Sequence, residues 1–167
     1  MSNILYLTEQ DQENNNVDSI IKSILEVNES NKTSSPIKLY INSYGGDVYQ
    51  FFGLIDVILA SKTPVYTYTL GAAMSCALLV ALAGHKRFAY KHSTFMYHQI
   101  SLGEWDVAKN LEEDLIETKR LHKLIEELVL DKTTITKEQI EDVHNHKRDW
   151  YISPGEALKY KIIDQII

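Results

Sequence analysis

The sequence has very little cysteine. Cys76 is the only one among 167 residues, so no intrachain disulfide can form, and a reducing, cytoplasmic compartment is the simplest expectation. It also lacks internal repeats and any stretch with the composition of a domain linker. A chain of this length fits one domain with a real hydrophobic core, and we expect a single domain over residues 1–167.

Positive charge and long apolar runs are scarce as well. The chain has 17 lysines and arginines against 23 acidic residues, a net charge of −6, and no basic cluster, which argues against nucleic-acid binding. The longest apolar stretch, residues 70–83, is interrupted by Ser75 and too short to span a bilayer, so it predicts a buried helix. The N-terminus has neither the basic region nor the apolar length of a signal peptide. We therefore expect neither a nucleic-acid nor a membrane partner.

What is present in the first half is an alternation of strand and helix patterns. Residues 37–41 and 65–69 read as strands, the second opened by Pro64. Apolar residues with helical spacing occur over residues 17–27 and 48–60. This order predicts an α/β fold with crossovers of the β-α-β type.

The second half begins with two short predicted strands, residues 86–89 and 94–98, and continues into a long amphipathic helix over about 106–130. Its predicted apolar stripe consists of Val107, Leu111, Leu115, Leu121, Leu124, Ile125 and Leu128. A helix of over twenty residues is long for a domain this small, so we expect it to project and pack against another subunit. Two further helices are predicted from capping boxes, Thr136 with Gln139 and Ser153 with Glu156.

Ser75 is the residue that most strongly suggests chemistry. It begins the apolar segment, four residues after Gly71 and just beyond a strand-like stretch, as expected for a serine at a sharp strand-to-helix turn. His98 ends a predicted strand, and Asp149 precedes Trp150. A serine hydroxyl becomes a nucleophile when a neutral imidazole takes its proton, and a carboxylate can hold that imidazole in one tautomer. These residues therefore suggest a serine peptidase with Ser75 as nucleophile, His98 as base and Asp149 as orienting carboxylate.

An oxyanion hole would complete such a site. Gly45 and Gly46 follow the strand at residues 37–41 and allow the backbone to approach a substrate closely. We expect the backbone N–H groups of Gly46 and Cys76 to be the two donors.

Each of these residues taken alone has a commoner structural explanation. A serine in an apolar helix usually hydrogen-bonds a backbone carbonyl, and a glycine pair is usually only a tight turn. The remaining histidines lie in polar or surface-like contexts; they are His85, His92, His122, His144 and His146. No metal is expected, because His144 and His146 are not spaced for one helical face and no cysteine pair exists. No cofactor is expected either, since the chain has no P-loop and no dinucleotide fingerprint.

The ordered set of motifs resembles the ClpP family, the proteolytic subunits of Clp proteases. The segments that carry the resemblance are Ile41-Asn-Ser-Tyr-Gly-Gly46, Gly71-Ala-Ala-Met-Ser75, Lys86-Arg-Phe-Ala89, Met96-Tyr-His-Gln99 and Arg148-Asp-Trp-Tyr-Ile-Ser153. They are similar to the family's I-N-S-P-G-G, G-x-A-x-S, K-R-F-A and M-x-H-Q motifs and to its triad-aspartate segment, and the resemblance spans about residues 4–164.

This resemblance implies the ClpP/crotonase fold, built from repeated ββα-type units, with a handle helix over about 106–130. It also implies a heptameric ring stacked into a two-ring barrel, with polypeptides delivered by an ATP-driven Clp-type unfoldase. It assigns the triad to Ser75, His98 and Asp149.

The chain departs from the family pattern in ways that keep other functions open. Tyr44 replaces the proline of the glycine turn, Cys76 replaces a methionine, and only three residues precede the first matching strand. A compact phage or divergent version, with an ungated entrance that admits loosely folded protein, is the resulting expectation. The alternatives are a capsid-maturation or signal-peptide-digesting peptidase with a Ser-Lys dyad, an inactive structural ring subunit, and an acyl-CoA hydratase of the same fold. The position of His98 argues against the dyad, and the presence of all three triad residues argues against the inactive subunit.

Overall fold

The computed structural model describes residues 3–8, 17–30, 35–100 and 111–167. The strands in these ranges are β1 Ile4–Thr8, β2 Ile37–Ser43, β3 Val65–Met74, β4 Lys86–Ala89, β5 Thr94–Tyr97, β6 Trp150–Ile152 and β7 Gln165–Ile166. The helices are α1 Val17–Ser30, α2 Val48–Leu59, α3 Cys76–Ala83, α4 Leu111–Lys132, α5 Lys137–Asn145 and α6 Pro154–Lys159.

One mixed sheet organises the described chain. Strands β1, β2, β3, β4 and β7 lie side by side in that order and are all parallel. Strand β5 continues alongside the far end of β3 in parallel, and β6 pairs with β5 in the antiparallel direction. The predicted α/β alternation is confirmed, with β2 and α1 close to their expected limits.

The core lies between this sheet and its helices. On β2 the apolar residues Ile37, Leu39 and Ile41 are fully buried, while the residues between them are more exposed. All eight residues of α3 are buried, so the expected buried helix exists. It is surrounded by protein on every side, as its lack of polar residues requires.

Strand β3 is longer than predicted, and the predicted end of the strand at residue 69 was wrong. The strand continues past Thr69 to Met74, so the buried helix begins at Cys76 rather than near residue 70. An irregularity in the pairing with β2 makes this extension possible. Gly71 has a positive φ of 67°, which glycine adopts without strain, and the Ala72 N–H donates to the Asn42 side-chain oxygen at 3.0 Å.

Helix α4 matches the predicted long helix where the two overlap. It is described from Leu111 to Lys132, while residues 106–110 and the side chain of Leu111 lie outside the described residues. Leu121 and Ile125 of the predicted stripe are buried, as is Val129, which the prediction omitted.

The prediction of one apolar stripe was wrong for Leu115 and Leu124, whose exposed fractions are 48% and 39%. The buried face follows the spacing of residues 121, 125 and 129, four apart on the helix, and these two leucines lie off that line. The described part of the helix therefore also exposes apolar side chains outside its buried face.

Both predicted capping boxes are confirmed. The side chains of Thr136 and Ser153 accept hydrogen bonds from the backbone N–H groups of Gln139 and Glu156, whose own side chains return the interaction. None of the helices in the described ranges combines the length and the hydropathy that a membrane span needs.

Candidate active site

Ser75 lies at the sharp turn between β3 and α3. Its backbone has φ 53° and ψ −128°, a conformation that costs a non-glycine residue energy and is concentrated at functional sites. The Ser75 N–H donates to the Met96 carbonyl of β5 at 2.9 Å, which fixes the turn against the neighbouring strand. The Ser75 hydroxyl makes no capping hydrogen bond to α3 and is directed elsewhere.

The partner of that hydroxyl is His98. The Ser75 Oγ and His98 Nε2 atoms are 2.8 Å apart, within hydrogen-bond distance. Parallel pairing of Met74 with Met96 aligns the ends of β3 and β5, so the two side chains meet where both strands finish. The His98 side chain is one quarter exposed, at 25%, and is therefore accessible from the cavity described below.

Asp149 lies beside Nδ1, the ring nitrogen of His98 that does not face Ser75. The antiparallel register of β5 and β6 pairs Tyr97 with Trp150, so His98 and Asp149 are the next residues outward on their strands. The distance from Asp149 Oδ1 to His98 Nδ1 is 3.9 Å, and the Asp149 side chain is 52% exposed. This separation is longer than a hydrogen bond. The structure brings Asp149 next to the imidazole without closing the contact.

The glycine turn that carries one predicted oxyanion donor lies close to Ser75. Gly45 has φ 101°, and a side chain there would lie 2.9 Å from the Ser75 Cβ and from the Met74 carbonyl, so only glycine lets the turn approach the serine this closely. Burial raises the pKa of the Cys76 thiol, and hydrogen bonds from Ser75 and the backbone N–H groups of Gly46 and Cys76 oppose that rise. Both N–H groups therefore lie close to the Cys76 side chain, and Gly46 and Cys76 line the same cavity as Ser75.

A cavity of about 150 Å³ opens beside these groups. Ser75, His98, Gly46 and Cys76 form its polar side. Its remaining wall is mostly apolar and consists of Val48, Leu79, Tyr97, Ile100 and Ile125. An extended chain with its scissile carbonyl at Ser75 would find room here for one apolar side chain.

The prediction of surface-like positions was wrong for two histidines that are neighbours in the fold. His122 and His144 are half-buried rather than in surface-like positions, with their ring centroids 5.3 Å apart. The signal was present but unused: His122, Ile125 and Val129 have the i, i+3, i+7 spacing of one helical face. His85, His92 and His146 are exposed, as expected.

Within the described ranges, no group of three or more histidine, cysteine, aspartate or glutamate side chains is arranged to hold a metal ion.

Comparison with known proteins identifies the family of the chain. The family model described as Clp protease matches residues 2–167. The ATP-dependent Clp protease proteolytic subunit 2 of Treponema pallidum is 34% identical over 145 residues, which cover 86% of this chain and 72% of that protein. The ATP-dependent Clp protease proteolytic subunit of Deinococcus radiodurans is 34% identical over 151 residues, covering 89% of this chain and 72% of that protein.

A solved structure gives the same result at the level of the fold. A mutant of ClpP1 from Listeria monocytogenes superposes with a TM-score of 0.81 at 29% identity, covering 98% of this chain and 90% of that chain. The sheet and helices described above therefore form the ClpP fold.

Proposed function

The chain belongs to the Clp protease family and is a serine peptidase, and we propose that it hydrolyses unfolded polypeptides with a triad of Ser75, His98 and Asp149 inside an oligomeric barrel. The observation that carries this proposal is the 2.8 Å distance between Ser75 Oγ and His98 Nε2. A base this close can take the hydroxyl proton as the oxygen attacks.

The reaction follows from the positions of the atoms. Ser75 Oγ attacks the scissile carbonyl while His98 Nε2 accepts its proton, and the carbonyl oxygen becomes an oxyanion. The backbone N–H groups of Gly46 and Cys76 stabilise that charge. His98 then returns the proton to the leaving amine, and the acyl group stays on Ser75. A water molecule then attacks the acyl ester while His98 accepts its proton. His98 returns that proton to Ser75 Oγ, which releases the second product and restores the serine.

Asp149 has a supporting role in this mechanism. When His98 is neutral and Nε2 accepts from the serine, its proton is on Nδ1, the nitrogen that faces Asp149. The carboxylate holds this tautomer and stabilises the imidazolium that forms. The 3.9 Å separation would shorten when substrate is bound, since catalytic contacts are often loose without it.

The cavity beside Ser75 suggests the substrate preference. Its apolar wall and its volume of about 150 Å³ suit an aliphatic side chain at P1, the residue whose carbonyl is attacked. A charged P1 side chain would lose its hydration there without gaining a partner.

Assembly into rings is the second part of the proposal. On α4, the adjacent residues Leu115 and Ile116 are 48% and 64% exposed, an apolar patch that contact with another copy would cover. A heptamer, or two stacked heptamers, would enclose the sites and restrict hydrolysis to chains that enter. A Clp-type ATPase unfoldase is the partner expected to deliver them.

A serine-reactive fluorophosphonate tests the nucleophile directly. The wild type should be labelled, and Ser75→Ala should lose the label together with hydrolysis of peptides. Ser23→Ala is a matched control, because the Ser23 hydroxyl only bonds the Ser19 carbonyl on the same helix. Full labelling or full activity of Ser75→Ala would show that another residue is the nucleophile.

A further inference from the structure

A cluster of three aromatic side chains lies beside the candidate active site and takes no part in the proton transfers described above. Tyr97 of β5, His122 of α4 and His144 of α5 stack in series, with ring centroids 5.8 Å apart for Tyr97–His144 and 5.3 Å for His122–His144. The Tyr97 hydroxyl and His144 Nε2 are 3.1 Å apart. Tyr97 is 4% exposed, so the cluster extends from the core to the helix pair.

Tyr97 lines the cavity directly, and His122 is connected to it through Ile100. The Ile100 N–H donates to His122 Nε2 at 2.9 Å, and Ile100 lines the cavity together with Ser75 and His98. Ile100 is two residues beyond His98 in the chain. This hydrogen bond to α4 therefore fixes the backbone that forms one wall of the cavity.

The chemistry of this bond restricts the state of His122. Nε2 can accept from a backbone N–H only when it carries no proton, so the ring must be neutral with its hydrogen on Nδ1. A protonated ring would present an N–H to the Ile100 N–H, and two donors cannot bond each other. The contact at Ile100 and a charged His122 are mutually exclusive.

We propose that His122 is a positioning residue whose neutral ring holds Ile100 against the cavity, and that protonation of the ring releases Ile100 and impairs binding of apolar P1 side chains. This inference rests on the proposed function, because it assigns the cavity to the substrate. His122 acts only through Ile100 and does not touch the reacting atoms.

The groups around His122 favour its neutral form. Burial lowers the pKa of His122 below the ordinary 6.5, and the charge of His144 lowers it further, while Glu126 on the same helix raises it. Burial likewise lowers the pKa of His144, against the opposing effects of Glu126 and Glu141. Both rings are therefore neutral at pH 7, and release of Ile100 belongs to the acid side of pH 6.5.

Two substitutions separate the hydrogen bond from the titration. His122→Gln supplies an amide oxygen near the position of Nε2, an acceptor that does not titrate. His122→Leu keeps apolar bulk and removes the acceptor. His92→Gln is the control, because His92 is an exposed histidine away from the cluster.

The kinetic experiment compares peptides with leucine or alanine at P1. His122→Leu should raise KM for the leucine peptide about tenfold at pH 7.5, the effect expected for a half-buried donor left unpaired. The kcat for this peptide and both constants for the alanine peptide should change little. In the wild type, KM for the leucine peptide should rise as the pH falls from 7.5 to 5.5, whereas in His122→Gln it should stay flat. His92→Gln should behave as the wild type.

Hydrogen–deuterium exchange at the Ile100 amide gives a readout that does not depend on activity. Its protection should be lost in His122→Leu, kept in His122→Gln, and lost in the wild type in mild acid. Unchanged Ile100 protection and an unchanged KM in His122→Leu would overturn the inference. So would an acid-side rise in KM for His122→Gln equal to that of the wild type, a result that stands even when His122→Leu does not fold. If the wild type neither hydrolyses peptides nor reacts with the fluorophosphonate, the proposed function fails, and amide exchange still decides whether His122 holds Ile100.

Discussion

At the scale of the residue, His98 and Asp149 contribute unequally to the geometry but act as one unit in the proposed reaction. His98→Ala and Asp149→Asn should each reduce peptide hydrolysis by about 10³-fold or more, because removal of a triad member disables the others. Steady-state kinetics measures the loss, and an unchanged melting temperature shows that the fold is retained. His92→Ala, at an exposed histidine, is the matched control. An active His98→Ala enzyme would instead favour a Ser-Lys dyad.

How far the sequence predicts the candidate site depends on whether local patterns or distant segments set the position of each residue. Ser75 and His98 could be predicted, because their local patterns place them at the ends of neighbouring strands, where β3 and β5 bring them to 2.8 Å. The 3.9 Å gap at Asp149 could not, since it depends on how the short β6 pairs with β5. The hydrogen bond between Ile100 and His122 was also missed, because it joins two segments that are 22 residues apart.

At the scale of the element, Arg87 joins β4, the end of α4 and the turn before β7. Its guanidinium donates to the Asp164 carboxylate at 2.7 Å and to the Lys132 carbonyl at 2.9 Å, and its backbone N–H donates to Asp164 at 2.8 Å. Burial opposes ionisation of Asp164, but the hydrogen bonds and charge of Arg87 outweigh it, so the pKa of Asp164 lies below the ordinary 3.8. This ion pair stabilises the fold while the carboxylate is charged.

Asp164→Asn should therefore destabilise the protein at pH 7. Hydrogen bonds to charged groups contribute about 1.5–3 kcal/mol, and since Asp164 is partly exposed we expect about 1.5 kcal/mol, or about 3–6 °C in Tm. Because the pKa is lowered on folding, this stability is present above pH 3.8 and is lost as the pH falls below it. The Tm difference from the wild type, measured at fixed protein concentration, should shrink toward pH 3. Glu127→Gln breaks an exposed pair with Lys123 and should change Tm little. An equal effect of both variants would contradict a special role for Asp164.

The elements themselves were largely predictable, and the exceptions have identifiable causes. Alternation on β2 and the capping boxes of α5 and α6 are local signals, and the structure confirms them. The extension of β3 beyond Thr69 was not predictable, because small apolar residues suit a buried strand and a buried helix equally. Asn42, 30 residues away from Ala72, decides between them through its side-chain hydrogen bond.

At the scale of the whole molecule, the described chain has apolar surface that its own core does not cover. On α4, one side packs inward through Leu121, Ile125 and Val129, while Leu115 and Ile116 remain 48% and 64% exposed. A helix with two apolar sides needs two partners, and the domain supplies one of them. An open site is also a hazard to other proteins, and a barrel would limit hydrolysis to chains that enter it. Both arguments lead to the same expectation of self-association through α4.

Analytical ultracentrifugation at micromolar concentration should accordingly find the wild type as a ring of seven or a stack of fourteen subunits. Ile116→Glu should shift it toward smaller species, because burying an unpaired carboxylate in an apolar contact is costly. Leu25→Glu is the control, because Leu25 is another exposed aliphatic residue, 47% exposed, on α1. A wild type that sediments only as a stable monomer would refute assembly. Equal dissociation by both substitutions would show that α4 is not the principal contact. If the proposal holds, Ile116→Glu should also lose hydrolysis of casein, a protein without a stable fold, to the extent that it loses assembly. Enclosure and activity then depend on the same surface.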